Sequence, residues 1–462
     1  MRKVRIGIDV GGTFTDAVAI DDATYEIIAQ EKIPTTHDAK EGVADGIIKI
    51  LQDIMKKNNI APEEVIFIAH GTTQATNALL EGDVAKVGIL AMGRGIESAR
   101  VESDSNVGNI PLAEGKELQT VHTYLKTENA AADETAVRTK IQELRDKGAQ
   151  IIVATESFSV DDPTNELFVM DMARQAGIYA TGGHEVSQLY GLKVRTRTAV
   201  INGSLIPKMM ETADMTEQCV KRAGIASQLM IMRCDGGVMT VNEVRRRPIL
   251  TMLSGLAAGV AGALMYEKMS DGIFLEAGGT STDISAVKNG RVMVKYAQVG
   301  GHKTYLNSLD VRTLGVAGGS MIRVEGKKIT DVGPRSAHIA GLTYEVFSPA
   351  LTDPHLELLA PCKDDQPVFA AVVGEGGKKV ALTLAGAANV LGKIPKQDYA
   401  TGDKAAARIA WQALGDVMGV TAEEAARQAM DIGIGKIRQI VEGLIHDYEL
   451  PVQGLILAGG GG

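Results

Sequence analysis

Asp9-Val-Gly-Gly-Thr-Phe-Thr-Asp16 and Glu276-Ala-Gly-Gly-Thr-Ser-Thr-Asp283 agree at five of eight positions, all of them Gly, Thr or Asp, and each copy opens on an acidic residue. The flanks agree as well. Val4-Arg-Ile-Gly-Ile8 and Gly272-Ile-Phe-Leu275 lead in, while Ala17-Val-Ala-Ile20 and Ile284-Ser-Ala-Val287 lead out. Short apolar runs on both sides of a glycine pair read as strand, tight turn, strand.

Glycines in such a turn let the backbone approach a ligand, and their amide hydrogens can converge on phosphate oxygens. Gly11, Gly12 and Gly278, Gly279 are the expected phosphate-lining glycines, with Thr13, Thr15, Thr280 and Ser281 as hydroxyl donors. Asp9 and Glu276 open the turns and Asp16 and Asp283 close them. One or two carboxylates plus phosphate oxygens is what Mg²⁺ prefers, so Asp9, Glu276 and Asp283 are the candidate metal residues. A ligand-free hairpin is the plain alternative for either copy alone. Turn geometry gives no reason for two copies to keep Thr and Asp besides Gly, so the duplication favours phosphate.

Between the copies, strand-like runs (Val65-Ile-Phe-Ile-Ala69, Lys86-Val-Gly-Ile-Leu-Ala91, Gln150-Ile-Ile-Val-Ala154) alternate with helical spacing at 41–55 and 134–147. That alternation predicts an α/β protein with a mostly parallel sheet. A seam near 189–197, before a helix over 198–223, divides the chain into domains 1–192 and 193–462. Residues 349–365, with three prolines and a charged cluster, read as a loop. Helices are expected over 403–418 and 422–446, the second opened by a Thr421/Glu424 capping box. The strand Gly454-Leu-Ile-Leu-Ala458 then runs into Gly459-Gly-Gly-Gly462. A glycine run after a strand usually turns the chain toward a helix and none follows, so truncation after Gly462 is expected.

At 462 residues, 45% hydrophobic and 23% charged, the composition is that of a globular chain with a sizeable core. Aromatics are only 4%, against 52 Gly and 18 Met, so packing must rely on small and aliphatic side chains. A net charge of −9 without a basic tract speaks against nucleic acid or an anionic membrane surface. No stretch reads as a signal peptide or membrane span. Cys219, Cys234 and Cys362 are isolated, which supports neither a disulfide framework nor a thiolate zinc site. These features place the chain in the cytoplasm.

The repeat resembles the phosphate hairpins of the actin, sugar kinase and heat-shock ATPase superfold, and Ile8-Asp-Val-Gly-Gly-Thr-Phe-Thr-Asp16 is similar to its hydantoinase/oxoprolinase branch. Three further stretches share the likeness: His70-Gly-Thr-Thr-Gln-Ala-Thr-Asn-Ala-Leu79, Leu253-Ser-Gly-Leu-Ala-Ala-Gly-Val-Ala-Gly262 and Asp310-Val-Arg-Thr-Leu-Gly-Val-Ala-Gly-Gly-Ser320. The resemblance implies two actin-like (ribonuclease H-like) domains with ATP and Mg²⁺ in the cleft between them. It implies ATP-dependent opening of a cyclic amide such as a hydantoin or oxoproline-like lactam, through phosphorylation of the amide oxygen. Asp9 and Asp283 are then expected near the metal as catalytic residues, and Gly459, Gly460 and Gly461 near the adenosine. A second hydantoinase-type subunit and an oligomer are the partners expected besides the small-molecule substrate. The alternatives are an ATPase switch or reactivase acting on a protein, a small-molecule kinase, and a ketone carboxylase subunit. The chain departs from the branch at Glu276 and Leu256, where Asp and Pro are usual, and over 347–375.

Other residues carry two readings each. His70 is a turn histidine bonded to local backbone, or a cleft group that contacts substrate or carries a proton near neutral pH. Thr72 and Thr73 of the same motif are candidate substrate contacts. Asp310 and Arg312 would share one face of a strand, as a structural ion pair or as a substrate-carboxylate site. Arg245-Arg-Arg247 reads as a solvated cluster, and the Met-rich segment around Pro207 as core.

Overall fold

The computed structural model describes residues 2–10, 14–36, 43–72, 74–113, 115–363, 365–395, 398, 400–451 and 454–459. The chain folds into two compact units, Met1–Gly259 with Val294–Leu309, and Val260–Met293 with Asp310–Gly462.

In the first unit β1 (Val4–Val10), β2 (Phe14–Asp21) and β3 (Ile27–Pro34) form an antiparallel meander. After α1 (Val43–Lys57) the chain enters β4 (Val65–Thr72), parallel to β1, and then α2 (Gln74–Glu81). Val4, Ile6, Ile8 and Val10 alternate into the core beside Ile47, Ile50, Leu51 and Ile54 of α1, while Gly7 and Asp9 face outward. A second sheet follows: β5 (Val87–Gly93), β6 (Thr120–Lys126), α3 (Glu134–Asp146), β7 (Ile151–Glu156), α4 (Thr164–Gln175) and β8 (Tyr179–Gly182). Its order is β8-β7-β5-β6, all parallel. Every residue of β5 is buried, as a parallel strand covered on both faces requires.

The long helix α5 (Leu192–Arg222) leads to β9 (Leu229–Met232), which completes the first sheet beside β4, and β10 (Val238–Thr240) pairs with β9. The helix starts six residues earlier than expected. Buried Arg195 explains this, because its guanidinium donates to the carbonyls of Leu189, Glu156 and Ser157 and so anchors the first turn. Domains 1–192 and 193–462 are not the compact units found here. α5 buries Val200, Ile201, Leu205, Ile206 and Met209 in the first unit, and a Cβ on its Gly203 would stand 3.2 Å from Val153 of β7. The division falls instead at Gly259/Val260, inside α6 (Ser254–Glu267), and the hairpin Val294–Val299/His302–Leu309 returns to the first unit.

In the second unit β11 (Gly272–Ala277), β12 (Thr282–Lys288) and β13 (Arg291–Val292) repeat the antiparallel meander. β14 (Val311–Leu314) also pairs with β12. A further sheet contains β15 (Ser320–Glu325), β16 (Lys328–Ser336), β17 (Thr343–Tyr344), β18 (His355–Leu359), β19 (Phe369–Val373) and β20 (Lys379–Ala381). β18 corrects the expected loop at 349–365: it lies between two of the prolines, Pro354 and Pro361, and pairs with β19. The helices α7 (Leu384–Val390), α8 (Lys404–Met418) and α9 (Ala422–Tyr448) follow, α9 with the expected capping box. β21 (Gly454–Ala458) finally lies parallel to β11. The orders β3-β2-β1-β4-β9 and β13-β12-β11-β21 share a three-stranded meander with a parallel strand beside its first member. That is the ribonuclease H-like plan of an actin-type domain, present twice. No described helix is long and apolar enough to cross a membrane.

Candidate functional site

In the second hairpin the strand register sets Glu276 opposite Asp283 and Ala277 opposite Thr282. Gly278 N–H donates to Ser281 O at 2.9 Å and closes the turn. The carbonyls of Gly278 and Gly279 are tied back by the N–H groups of Gly318 and Gly319, at 3.2 and 2.8 Å. Among the described residues nothing accepts from the N–H groups of Gly279, Thr280 or Ser281. With the carbonyls of Gly278, Gly279 and Ser281 engaged and the N–H groups of Gly279, Thr280 and Ser281 open, the turn has the polarity of an anion-binding nest. Asp283 is half-buried and accepts from Thr313 Oγ1; desolvation raises its carboxyl above the usual range against that hydrogen bond.

The first hairpin has the same register, Asp9 opposite Asp16 and Val10 opposite Thr15. Gly11, Gly12 and Thr13 lie outside the described residues. Asp9, the last residue but one of β1, has its carboxylate against neighbouring backbone: a Cβ on Gly71 would stand 2.8 Å from Asp9 Oδ1, and one on Gly255 3.5 Å. Desolvation, then the Asp16 carboxylate opposite, raises the Asp9 carboxyl against the pull of Lys32, which itself pairs with Asp16 at 3.0 Å. Among the described residues no three His, Cys, Asp or Glu are gathered into a ready metal cage. Each hairpin contributes a pair.

Thr15 does not present its hydroxyl on the side that Asp9 and Asp16 share. It is buried, with Oγ1 3.2 Å from Thr35 Oγ1, and the matching Thr282 is buried with its hydroxyl donating to Val316 O. Strand alternation turns both inward. Thr280 and Ser281, in the turn itself, are exposed and half-exposed.

His70 also corrects an expectation. On β4 it stands between Ile8 and Ile231 in register and is 2% exposed, and burial pushes its imidazole down to about 4. It is neutral at pH 7, with Nδ1 lacking a partner among the described residues, so its surroundings do not suit a proton carrier near neutral pH. Its motif is instead fastened through the backbone. Thr72 N–H donates to Ser254 Oγ at 3.4 Å, Ser254 Oγ donates to Thr72 O at 3.0 Å, and Leu253 N–H donates to Thr76 Oγ1 at 3.1 Å. Leu253 sits in the left-handed region (φ 57°), turning the chain into α6 so that Gly255 lies beside Asp9. Thr72 Oγ1 accepts from Gln74 N–H and caps α2, which leaves it a structural task; Thr73 lies outside the described residues.

Asp310 is buried and accepts from Tyr448 Oη at 2.7 Å, and Arg312 stands 3.8 Å from Asp310 and pairs with Asp447. This geometry matches the structural ion pair, locking β14 to the end of α9. Gly459 follows Ala458, the register partner of Glu276, with φ 86°; a Cβ there would fall 2.2 Å from Ala277 O. Glycine is obligatory at that place, whatever the loop binds. Gly460 and Gly461 lie outside the described residues. Sequence reading assigned no role to Gly318 and Gly319, which back the second turn, or to Ser254. Both stretches lay within quoted motifs, and their Gly and Ser content was the available signal.

Two family descriptions match: the hydantoinase/oxoprolinase N-terminal region over residues 5–177 and hydantoinase/oxoprolinase over residues 195–462. The caprolactamase subunit alpha of Pseudomonas jessenii is 27% identical over 360 residues, 73% of this chain and 51% of that one. The acetophenone carboxylase gamma subunit of Aromatoleum aromaticum is 28% identical over 373 residues, 72% and 49% of the two chains. The 5-oxoprolinase 1 of Arabidopsis thaliana is 25% identical over 475 residues, 88% and 36%. The chain thus spans about half the length of the first two relatives and about a third of the last. Among solved structures, the ATP-dependent caprolactamase from Pseudomonas jessenii superposes with a TM-score of 0.67 at 23% identity. A nucleotide-free acetone carboxylase gives 0.64 at 19%, and both superpositions cover 96% of this chain and 63% of the other. These two share its fold. By its matched regions, this chain is a member of the hydantoinase/oxoprolinase family.

Proposed function

We propose that the chain is an ATP-dependent cyclic amide hydrolase, or the ATP-binding subunit of one, acting with Mg²⁺ on a hydantoin or lactam. The observation that carries this reading is the turn with open N–H groups at Gly279, Thr280 and Ser281 beside the Glu276/Asp283 pair, with its sequence repeated at Asp9–Asp16. When bound, ATP would supply the phosphoryl group that, placed on the amide oxygen, makes the carbonyl carbon electrophilic enough for water to add and the ring nitrogen to leave. The chain's own part is to bind and orient: the turn amides hold phosphate oxygens, and Asp9, Glu276 and Asp283 hold Mg²⁺ through its waters. Gly11, Gly12, Thr13, Gly278 and the loop at Gly459, Gly460 and Gly461 complete the nucleotide site in this reading. The names of the caprolactamase and 5-oxoprolinase relatives support a cyclic amide as substrate. Those of the acetophenone and acetone carboxylases favour a second reading, activation of a ketone oxygen. Relatives named as subunits support a second polypeptide as partner, and dependence on ATP suits the cytoplasm.

The test is ATP hydrolysis measured across lactams, hydantoins and ketones, with and without the companion subunit. A cyclic amide is expected to stimulate turnover; stimulation by ketones alone selects the second reading, and a flat response rejects both. Asp9→Asn or Asp283→Asn should lower Mg²⁺-dependent turnover by about 10²- to 10³-fold at unchanged melting temperature. Full turnover in both variants rejects the metal assignment.

A further inference from the structure

The second hairpin has a neighbour on which the sequence is silent. Tyr344 ends β17 with its ring half-buried and packed against Phe347, ring centroids 5.7 Å apart. Its hydroxyl makes no hydrogen bond among the described residues, yet it is aimed at the glycines of the turn. A Cβ on Gly279 would stand 3.4 Å from Tyr344 Oη, and one on Gly319 only 2.0 Å from it. Only glycine at 319 lets the hydroxyl take this place.

The ring is held there by its chain neighbour. Glu345 is buried, and its carboxylate accepts from Thr383 N–H and Thr383 Oγ1 at 3.0 Å each and from Trp411 Nε1 at 2.8 Å. These bonds pin the backbone at 344–345 to α7 and α8, so the hydroxyl is set by a rigid support. Desolvation, then the Glu345 charge, raises the Tyr344 phenol, which therefore keeps its proton at neutral pH as a donor. An unengaged O–H beside three unengaged N–H groups, with the carbonyls of Gly278, Gly279 and Ser281 already bonded, is complementary to a single anion rich in acceptor oxygens.

We propose that Tyr344 is part of the polyphosphate site of the second hairpin, its hydroxyl donating a hydrogen bond to a phosphate oxygen seated on the Gly279–Ser281 amides. The inference rests on the reading of that turn as a phosphate site, and the experiment separates the two. Binding of Mg·ADP and of inorganic tripolyphosphate is measured by calorimetry on the wild type and on Tyr344→Phe, which keeps the ring and removes only the donor. The expected result is binding by the wild type and binding about 10-fold weaker by Tyr344→Phe, the worth of one hydrogen bond to a charged group. Equal affinities overturn the role of Tyr344 and leave the turn as a phosphate site. No binding to the wild type overturns the phosphate reading and this inference with it. Should Tyr344→Phe melt lower than the wild type, 3-fluorotyrosine placed at 344 decides. Its ¹⁹F resonance is expected to move on saturation with Mg·ADP, and a resonance that stays fixed overturns the contact.

Discussion

His70 and Glu345, one in each compact unit, are buried ionisable side chains that pull the pH dependence of stability in opposite directions. Burial holds the folded His70 at about 4, below its usual 6.5, so on acidification through that window the unfolded chain takes a proton that the folded chain refuses. Its contribution is complete above 6.5 and is lost as pH falls to 4. Desolvation outweighs the hydrogen bonds from Thr383 and Trp411 and raises Glu345 from 4.5 to about 7, so its contribution is complete below 4.5 and is lost as pH rises to 7. Each effect reaches about 3 kcal/mol over its window, a large share of a typical folding free energy. Where the windows overlap they offset each other. Glu345→Gln should therefore shift the difference in urea midpoint between pH 7.5 and pH 5 upward relative to the wild type, and His70→Gln should shift it downward; unchanged differences refute the assignment. At this scale the sequence is least legible. By its motif Thr15 reads as a phosphate ligand, although strand alternation sets it and Asp16 on opposite sides. Tyr344 and Glu345 offered no local pattern, because their partners lie far along the chain.

Turns and strand ends were more legible than single side chains. The second glycine pair, the two strands flanking each turn and the capping box of α9 follow from local chemistry, and they stand where the spacing predicts. What spacing does not carry is the support behind a turn: Gly318 and Gly319 reach the second hairpin from a loop that their own neighbourhood does not place. β18 is hidden by the prolines that flank it, because a strand between prolines looks like a loop until its partner β19 is known. The support makes an element-scale prediction. A methyl at Gly319 would meet Tyr344 Oη at 2.0 Å and Gly279 O at 2.6 Å, so Gly319→Ala must displace the turn, the ring or both. Overpacking of this kind costs about 1–3 kcal/mol. The variant should show a lowered melting temperature together with weaker Mg·ADP binding. A variant with wild-type values for both would mean that the backing of the turn is slack.

The α/β class and the two repeats of one plan were legible in the chain as a whole, whereas the border between compact units was not. Residues 189–197 look like a seam because a long helix follows them, but a border depends on which core that helix enters. α5 enters the first, with Val200, Ile201, Leu205, Ile206 and Met209 buried against the sheets of residues 1–192. Burying such a side chain is worth about 1.5–3 kcal/mol, so these five together rival the whole folding free energy of a domain, about 5–15 kcal/mol. A fragment 1–192 would leave that surface on β7 and α1 open and lose β9 from the edge of β4 as well. It should show no cooperative thermal transition by circular dichroism. A fragment 1–309 keeps α5, β9 and the hairpin Val294–Leu309, in which Tyr305 N–H donates to Thr198 Oγ1 and Leu309 N–H to Cys234 O. It should melt cooperatively, with residues 260–293 as an unpartnered excursion. A cooperative melt of 1–192 alone would show that the helix is an accessory to a core that stands without it, and would restore the seam at 192 as the true border.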